Sequence, residues 1–111
     1  MQTLSSTDQF EDLLNRSDEE PILIYKHSSR CPLSSRARNE VAAFEEQSDL
    51  SIFEVVVQRD RATSDHVAEA LEIRHETPQV ILIRDGRPVY DASHTEVTHD
   101  ALEHVSNGSA R

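Results

Sequence analysis

Cysteine is almost absent from this chain of 111 residues, since Cys31 is the only one. A single cysteine cannot close a disulfide within the chain. This excludes a disulfide-stapled fold and favours a reducing compartment. The residue three positions later, where a redox dithiol keeps its second cysteine, is Ser34. Any thiol chemistry at this place must therefore use one sulfur atom.

Glycine and long apolar runs are also scarce. The two glycines are Gly86 and Gly108, so the chain has no Gly-x-Ser-x-Gly elbow that would make one of its serines a nucleophile. No apolar stretch approaches the roughly 18–20 residues of a membrane span, and the N-terminus lacks a signal-peptide pattern. We therefore expect a cytoplasmic protein that does not bind a membrane.

Basic residues are few, and only one of them is a lysine. Against 11 lysines and arginines stand 21 aspartates and glutamates, which gives a formal net charge of −10. Nucleic acids and anionic membranes bind basic surfaces, so neither is expected as a partner. An acidic, lysine-poor surface fits a salt-rich cytoplasm as well as ordinary solubility. The length predicts a single domain over residues 1–111 that needs no structural metal.

Apolar spacing, caps and turn residues predict alternating helices and strands. Helices are predicted over residues 7–16 with Thr7 as N-cap, 32–47, 64–72 and about 101–105, with Gly108 following the last one. Strands are predicted over residues 22–27, 52–57, 79–84 and 87–91, the last two joined by an Asp85-Gly86 hairpin turn. The order α-βαβα-ββα indicates an α/β fold with a mixed four-stranded sheet flanked by helices. This is the order of a thioredoxin-like fold without a leading strand.

Cys31 lies between a predicted strand and the helix that begins at Pro32. The first N–H groups of a helix and its dipole stabilise a thiolate, which is the reactive form of cysteine. Nearby cations would lower the thiol pKa further, and Arg30, Lys26 and Arg36 are the local candidates. The alternative is that Cys31 is only a small buried apolar residue. The sequence leaves both interpretations open.

A second feature of this edge is the Thr77-Pro78 pair before the third strand. Proline can open a strand but cannot continue in its middle. In a thioredoxin-like arrangement this junction lies beside the thiol. A cis proline there would turn the N–H and C=O of Thr77 toward a bound disulfide. The sequence does not decide between a cis and a trans bond.

Several pieces of the chain resemble the monothiol bacilliredoxins of the YtxJ-like branch, which are thioredoxin-fold proteins of bacteria that use bacillithiol. The likeness covers most of the domain. The matching pieces are Lys26-His27-Ser28, Cys31-Pro32-Leu33-Ser34, Val57-Gln58, Asp60-Arg61, His75-Glu76-Thr77-Pro78-Gln79 and Ser93-His94.

This resemblance implies a thiol-disulfide oxidoreductase that removes bacillithiol from S-bacillithiolated proteins. Cys31 would attack the bacillithiol sulfur and become bacillithiolated itself, and a second bacillithiol would restore it. Bacillithiol is then a co-substrate, and no bound cofactor is expected. Pro32, Thr77 and Pro78 would line the substrate site.

The other candidate site residues each allow two interpretations. Members of the family commonly have threonine before the cysteine, and this chain has Arg30, which would attract the malate carboxylates of bacillithiol or face solvent. Lys26 would pair with a ligand carboxylate or with the thiolate, or would reach into solvent. His75 and His94 would donate protons to a leaving thiolate, or serve as caps and loop hydrogen-bonding groups.

Three other functions are weighed against this one. The first is a glutaredoxin-like enzyme for another small thiol. Enzymes that use glutathione usually carry a Gly-Gly pair where this chain has Ser93-His94-Thr95-Glu96, which argues against glutathione. The second is a thioredoxin-like adaptor without thiol chemistry. The third is an iron–sulfur cluster shared between two subunits through Cys31. Within one chain no metal site is expected, because the histidines show no helical ligand spacing.

Overall fold

The computed structural model describes residues 1–106 and contains a five-stranded sheet flanked by four helices. The strands are β1 (Gln2–Thr3), β2 (Ile22–His27), β3 (Ser51–Val56), β4 (Gln79–Arg84) and β5 (Arg87–Ser93). The helices are α1 (Thr7–Arg16), α2 (Pro32–Glu46), α3 (Arg61–Leu71) and α4 (His99–His104), with a 3₁₀ turn over His94–Glu96. None of these helices is long and apolar enough to cross a membrane.

The sheet topology gathers several loops at one edge. The strand order is β1-β3-β2-β4-β5, in which β1, β3 and β2 are parallel and β4 and β5 are antiparallel to their neighbours. The carboxyl ends of β2 and β3, the start of β4 and the end of β5 therefore meet on one side. These are the segments that carry Cys31, Gln58, Thr77-Pro78 and His94. The predicted mixed α/β sheet is confirmed.

The prediction of four strands without a leading strand is wrong by one strand. β1 pairs in parallel with the outer edge of β3, and the N–H of Leu4 donates to the C=O of Glu54 at 2.8 Å. A strand of two residues is too short to show alternation in the sequence. Its pairing partner lies about fifty residues away, so only the folded chain brings the two together.

Helix α1 spans residues 7–16 as predicted, but its cap residue differs, and the start of α3 is displaced. Ser6, not Thr7, caps α1, and its Oγ accepts the N–H of Gln9 at 3.1 Å; Ser5, Ser6 and Thr7 are all good cap residues, so the sequence alone could not separate them. Helix α3 begins at Arg61 rather than at Ser64, because Ser64 is buried within the helix instead of capping it. The residue proposed to follow the last helix, Gly108, lies outside the described residues.

The hairpin turn and the burial of β4 on both faces of the sheet agree with the sequence-based prediction. Asp85 and Gly86 both adopt positive φ, 53° and 72°, as a two-residue turn between twisted strands requires. Strand β4, whose apolar run shows no alternation, is covered on both faces. Leu82 packs in the core under α2 and α4, while Ile81 and Ile83 pack in the core under α1 and α3.

Candidate functional site

Cys31 occupies the N-cap position of α2, at the edge where the loops gather. Its backbone is extended, with φ −110° and ψ 117°, and Pro32 is the first helical residue, as predicted. The Cys31 N–H donates to the C=O of Ser28 at 3.3 Å, which closes the preceding loop. The thiol is partly exposed and makes no disulfide. Among the described residues no side chain caps this helix by a hydrogen bond, so its first N–H groups can interact with the sulfur.

The pKa of the Cys31 thiol is lowered, chiefly because the backbone N–H of Ser34 stabilises the thiolate. Desolvation opposes the shift, and the N–H of Leu33 and the Ser34 hydroxyl reinforce it. Of the two causes considered from the sequence, helix N–H groups account for the lowered pKa rather than the cations Arg30 and Arg36. The thiolate therefore depends on the backbone of the first helical turn.

Ser34 is fully buried, interacts with the Cys31 thiol and is held by Tyr25. The Tyr25 hydroxyl donates to the Ser34 C=O at 2.8 Å and lies 2.9 Å from Nδ1 of His27. Because a carbonyl only accepts, the hydroxyl proton is committed to Ser34, and His27 must donate from Nδ1. Burial raises the pKa of Tyr25 and keeps the phenol protonated. Sequence reasoning did not identify Tyr25, because it sits in an apolar run that predicts only a buried strand.

Gln58 fixes the loop that leads to Cys31. Its Oε1 accepts the N–H of Ser29 at 3.0 Å, and its Nε2 donates to Oγ of Ser28 at 2.8 Å. One amide side chain thus satisfies a backbone donor and a side-chain acceptor in the loop just before the thiol. Gln58 belongs to a matched piece of the family resemblance, but it follows β3 and reaches the loop only through the fold.

The Thr77-Pro78 segment lies at the same edge and carries unused backbone groups. The peptide bond between Thr77 and Pro78 is cis. The Pro78 C=O accepts the N–H of His94 at 2.9 Å. Within residues 1–106 neither the N–H nor the C=O of Thr77 has a backbone partner. These two groups are therefore available to an extended segment of another molecule.

The structure places His94 beside this segment. His94 has a positive φ of 57°, and its Nε2 lies 3.5 Å from Oε1 of Glu76. The side chain is half-exposed. His75, the other histidine proposed as a proton donor, is partly buried, and its Nδ1 lies 3.1 Å from Nζ of the fully buried Lys26.

The placement of Lys26 corrects both interpretations made from the sequence. Each assumed an accessible ammonium, but the Lys26 side chain is fully buried. Its Nζ donates to the C=O of Ser64 at 3.1 Å and contacts His75. By the alternation of β2, Lys26 points to the α1 and α3 side of the sheet, whereas Tyr25 points to the α2 side. Lys26 is thus not available to a ligand carboxylate or to the thiolate.

Arg30 and Pro32 flank the thiol and are exposed. The Arg30 guanidinium has no ion pair among residues 1–106, whereas Arg59 and Arg61 nearby are paired with Asp60 and Asp65. In the same part of the chain no three metal-ligating side chains converge on one point.

Comparison with protein families gives one match over nearly the whole described chain. A family model described as monothiol bacilliredoxin BrxC matches residues 2–102. The matched range contains Cys31, Gln58, Thr77-Pro78 and His94, which are the residues that the fold gathers at one edge.

Comparison with solved structures gives thioredoxin folds. One solved structure is described as an inferred oxidoreductase with a thioredoxin fold. It has 28% sequence identity and a TM-score of 0.86, and the match covers 95% of this chain and 92% of that one. Thioredoxin from Fasciola hepatica is 17% identical with a TM-score of 0.78, over 97% and 98%. A variant thioredoxin from Halobacterium salinarum is 20% identical with a TM-score of 0.76, over 99% and 90%. The thioredoxin-like class predicted from the sequence is confirmed.

Proposed function

Because the chain belongs to the monothiol bacilliredoxin family, we propose that it removes bacillithiol from proteins that carry it as a mixed disulfide. Cys31 is the nucleophile and the only sulfur of the protein that takes part. Bacillithiol is a co-substrate rather than a bound cofactor, and S-bacillithiolated proteins are the partners. The reaction needs a reducing compartment that supplies bacillithiol. The single cysteine also favours a reducing compartment, so the proposed location is the cytoplasm.

The observation that carries this proposal is the environment of the thiol. Cys31 is partly exposed, its pKa is lowered by the N–H of Ser34, and the second position of a dithiol pair is occupied by a serine. A thiolate attacks best when the thiol pKa lies near the ambient pH, so a moderate depression suits exchange. With no second thiol, the mixed disulfide formed at Cys31 must be resolved by a small thiol from solution.

The cycle consists of two exchanges. The Cys31 thiolate attacks the bacillithiol sulfur of the mixed disulfide. The old S–S bond breaks, and the protein thiolate leaves and takes up a proton. The thiolate of a second bacillithiol then attacks the bacillithiol sulfur now bonded to Cys31. This releases the Cys31 thiolate and forms oxidised bacillithiol, which joins the bacillithiol removed from the protein to the second one, so each turnover consumes one free bacillithiol as reductant.

The residues around the thiol have distinct proposed roles. The free N–H and C=O of Thr77 would pair with the backbone of a substrate that passes Pro78. The guanidinium of Arg30, exposed and without an ion pair within residues 1–106, would meet the malate carboxylates of bacillithiol. His94 would protonate the leaving thiolate. Pro32 presets the first helical turn, which keeps the N–H groups directed at the sulfur.

The choice of small thiol is tested by direct comparison. We expect faster release of bacillithiol than of glutathione from one reporter protein that carries either as a mixed disulfide. The reason is that the Gly-Gly pair used by glutathione enzymes is missing at Ser93-His94. Release is followed by intact mass of the reporter. Faster release of glutathione would contradict the proposal and favour a glutaredoxin-like enzyme.

Cys31 should be alkylated at a lower pH than a free thiol. Its lowered pKa means that the midpoint of alkylation rate against pH lies below the value of about 8.5 for a free thiol. Ser34→Ala should move the midpoint up, since the hydroxyl is one of the groups that stabilise the thiolate. Ser35→Ala, at an exposed neighbour, is the control and should leave it unchanged. A wild-type midpoint of about 8.5 or higher would instead support the adaptor interpretation.

A further inference from the structure

The single lysine of the chain lies in a buried polar cluster that the exchange reaction does not use. Lys26 is fully buried, and Gln79, its partner across β2 and β4, is 1% exposed. Ser64 on α3 and His75 before β4 complete the cluster. Placing an ammonium in the interior is costly unless it is hydrogen-bonded. The hydrogen bonds of Lys26 therefore decide whether it can be buried there.

The contact between Lys26 and His75 holds in either protonation state of the lysine. Burial lowers the pKa of Lys26 to about 8, with Asp65 opposing the shift. Burial also lowers the pKa of His75, so the imidazole is neutral at neutral pH. A charged ammonium donates to Nδ1 of the neutral ring, and a neutral amine can accept a proton from Nδ1 instead. The 3.1 Å contact therefore holds the His75 side chain in place in both protonation states of Lys26.

His75 lies two residues before Thr77, and other hydrogen bonds hold the chain that follows Thr77. The Pro78 C=O accepts the N–H of His94 at 2.9 Å, and the backbone of Gln79 is paired on both sides in the sheet. The Gln79 side chain donates back to the C=O of Arg74 at 3.0 Å. The segment is thus held at both ends, while the two backbone groups of Thr77 have no backbone partner within residues 1–106.

We propose that Lys26 is a positioning residue of the exchange reaction, which acts through His75 to hold the Thr77-Pro78 segment at the edge that carries Cys31. This inference rests on the proposed function, since it assigns to that segment the binding of the disulfide substrate. Lys26 does not touch the substrate. It reaches the site from the opposite face of the sheet, through one contact to the loop that displays Thr77.

The test compares Lys26→Met and His75→Leu with wild type. Lys26→Met is one atom shorter, keeps most of the unbranched apolar stem and removes the buried charge, so it is expected to fold. Each variant should lower kcat/KM for release of bacillithiol from a reporter protein about ten-fold or more, because misplaced binding groups are costly in exchange. The alkylation rate of Cys31 should not change, because no group that stabilises the thiolate has been altered.

Further variants separate positioning from general destabilisation. The double variant should fall no further than either single one, since both remove the same contact. His75→Asn, whose side chain can replace Nδ1, should recover most of the rate lost in His75→Leu. Arg74→Gln is the matched control in the same loop. Its guanidinium is 91% exposed and makes a surface ion pair with Glu76, which contributes little.

A second readout follows the segment itself. The amide of His94 is bonded to the Pro78 C=O, so its hydrogen exchange, measured by NMR, reports how firmly Pro78 is held. We expect faster exchange in Lys26→Met. Unchanged exchange, or loosened exchange with normal release, would overturn the inference. If wild type releases glutathione and not bacillithiol, the proposed function fails, and the same variants are then compared on the glutathione substrate.

Discussion

Cys31→Ser is expected to reduce release of bacillithiol to the uncatalysed background. A serine hydroxyl is not ionised at neutral pH and forms no disulfide, so both exchanges of the cycle are lost. The fold should remain intact, because Cys31 is partly exposed at a helix end. Stability should even increase by about 0.5–1 kcal/mol, since serine is a good N-cap and α2 has no side-chain cap. Release is measured by intact mass, and stability by urea unfolding.

Cys31→Ala serves as the control for this experiment. It also removes the sulfur but offers no cap, so it should be as inactive as Cys31→Ser and less stable. Inactivity in both variants, with higher stability only in Cys31→Ser, would separate chemistry from folding. Continued release by Cys31→Ser would refute the assignment of the nucleophile.

Ser34→Cys is expected to convert the monothiol site into a dithiol site. Ser34 lies one helical turn after Cys31, is fully buried and differs from cysteine by one atom. The introduced thiol would attack the Cys31–bacillithiol disulfide within the molecule. An intramolecular attack replaces a bimolecular one, so the lifetime of the adduct should fall by about 10²-fold or more. Intact mass after exposure to oxidised bacillithiol should show an internal disulfide instead of the adduct.

Ser35→Cys is the matched control, because it places a thiol one residue further on at an exposed position. That variant should keep a stable bacillithiol adduct at Cys31. A persistent Cys31 adduct in Ser34→Cys as well would mean that the position of Ser34 does not allow attack on the sulfur. The proposed reason for a single-thiol mechanism, the absence of a resolving thiol at this place, would then be wrong.

The pKa of Cys31 is lowered by backbone N–H groups rather than by charged side chains. Backbone N–H groups of a helix turn cannot be removed by mutation of a side chain, and salt does not screen them as it screens an exposed arginine. The sequence predicted both helix N–H groups and nearby cations as causes, with Arg30, Lys26 and Arg36 as the candidate cations. Which of the two causes acts depends on the geometry of the first turn of α2, which the sequence does not give.

The sequence by itself determined the features that depend on neighbours along the chain. Pro32 at the first turn of a helix, the Asp85-Gly86 turn and the two-sided apolar run of β4 all follow from local sterics or from periodicity. So did the single-sulfur character of the site, since Ser34 replaces a second cysteine. The order of helices and strands also indicated a thioredoxin-like fold, and family resemblance added the role of Cys31 as nucleophile.

Only the tertiary structure decided what depends on distant partners. β1 exists because Gln2 and Thr3 meet β3. Gln58 reaches the thiol loop across two strand ends. Lys26 changed from a proposed ligand residue to a buried one because α3 and the loop before β4 cover it, which no local pattern encodes. The physical reason is that local patterns fix backbone conformation and which strand face a residue occupies, while the elements packed on that face determine whether its charge meets solvent, a ligand or another side chain.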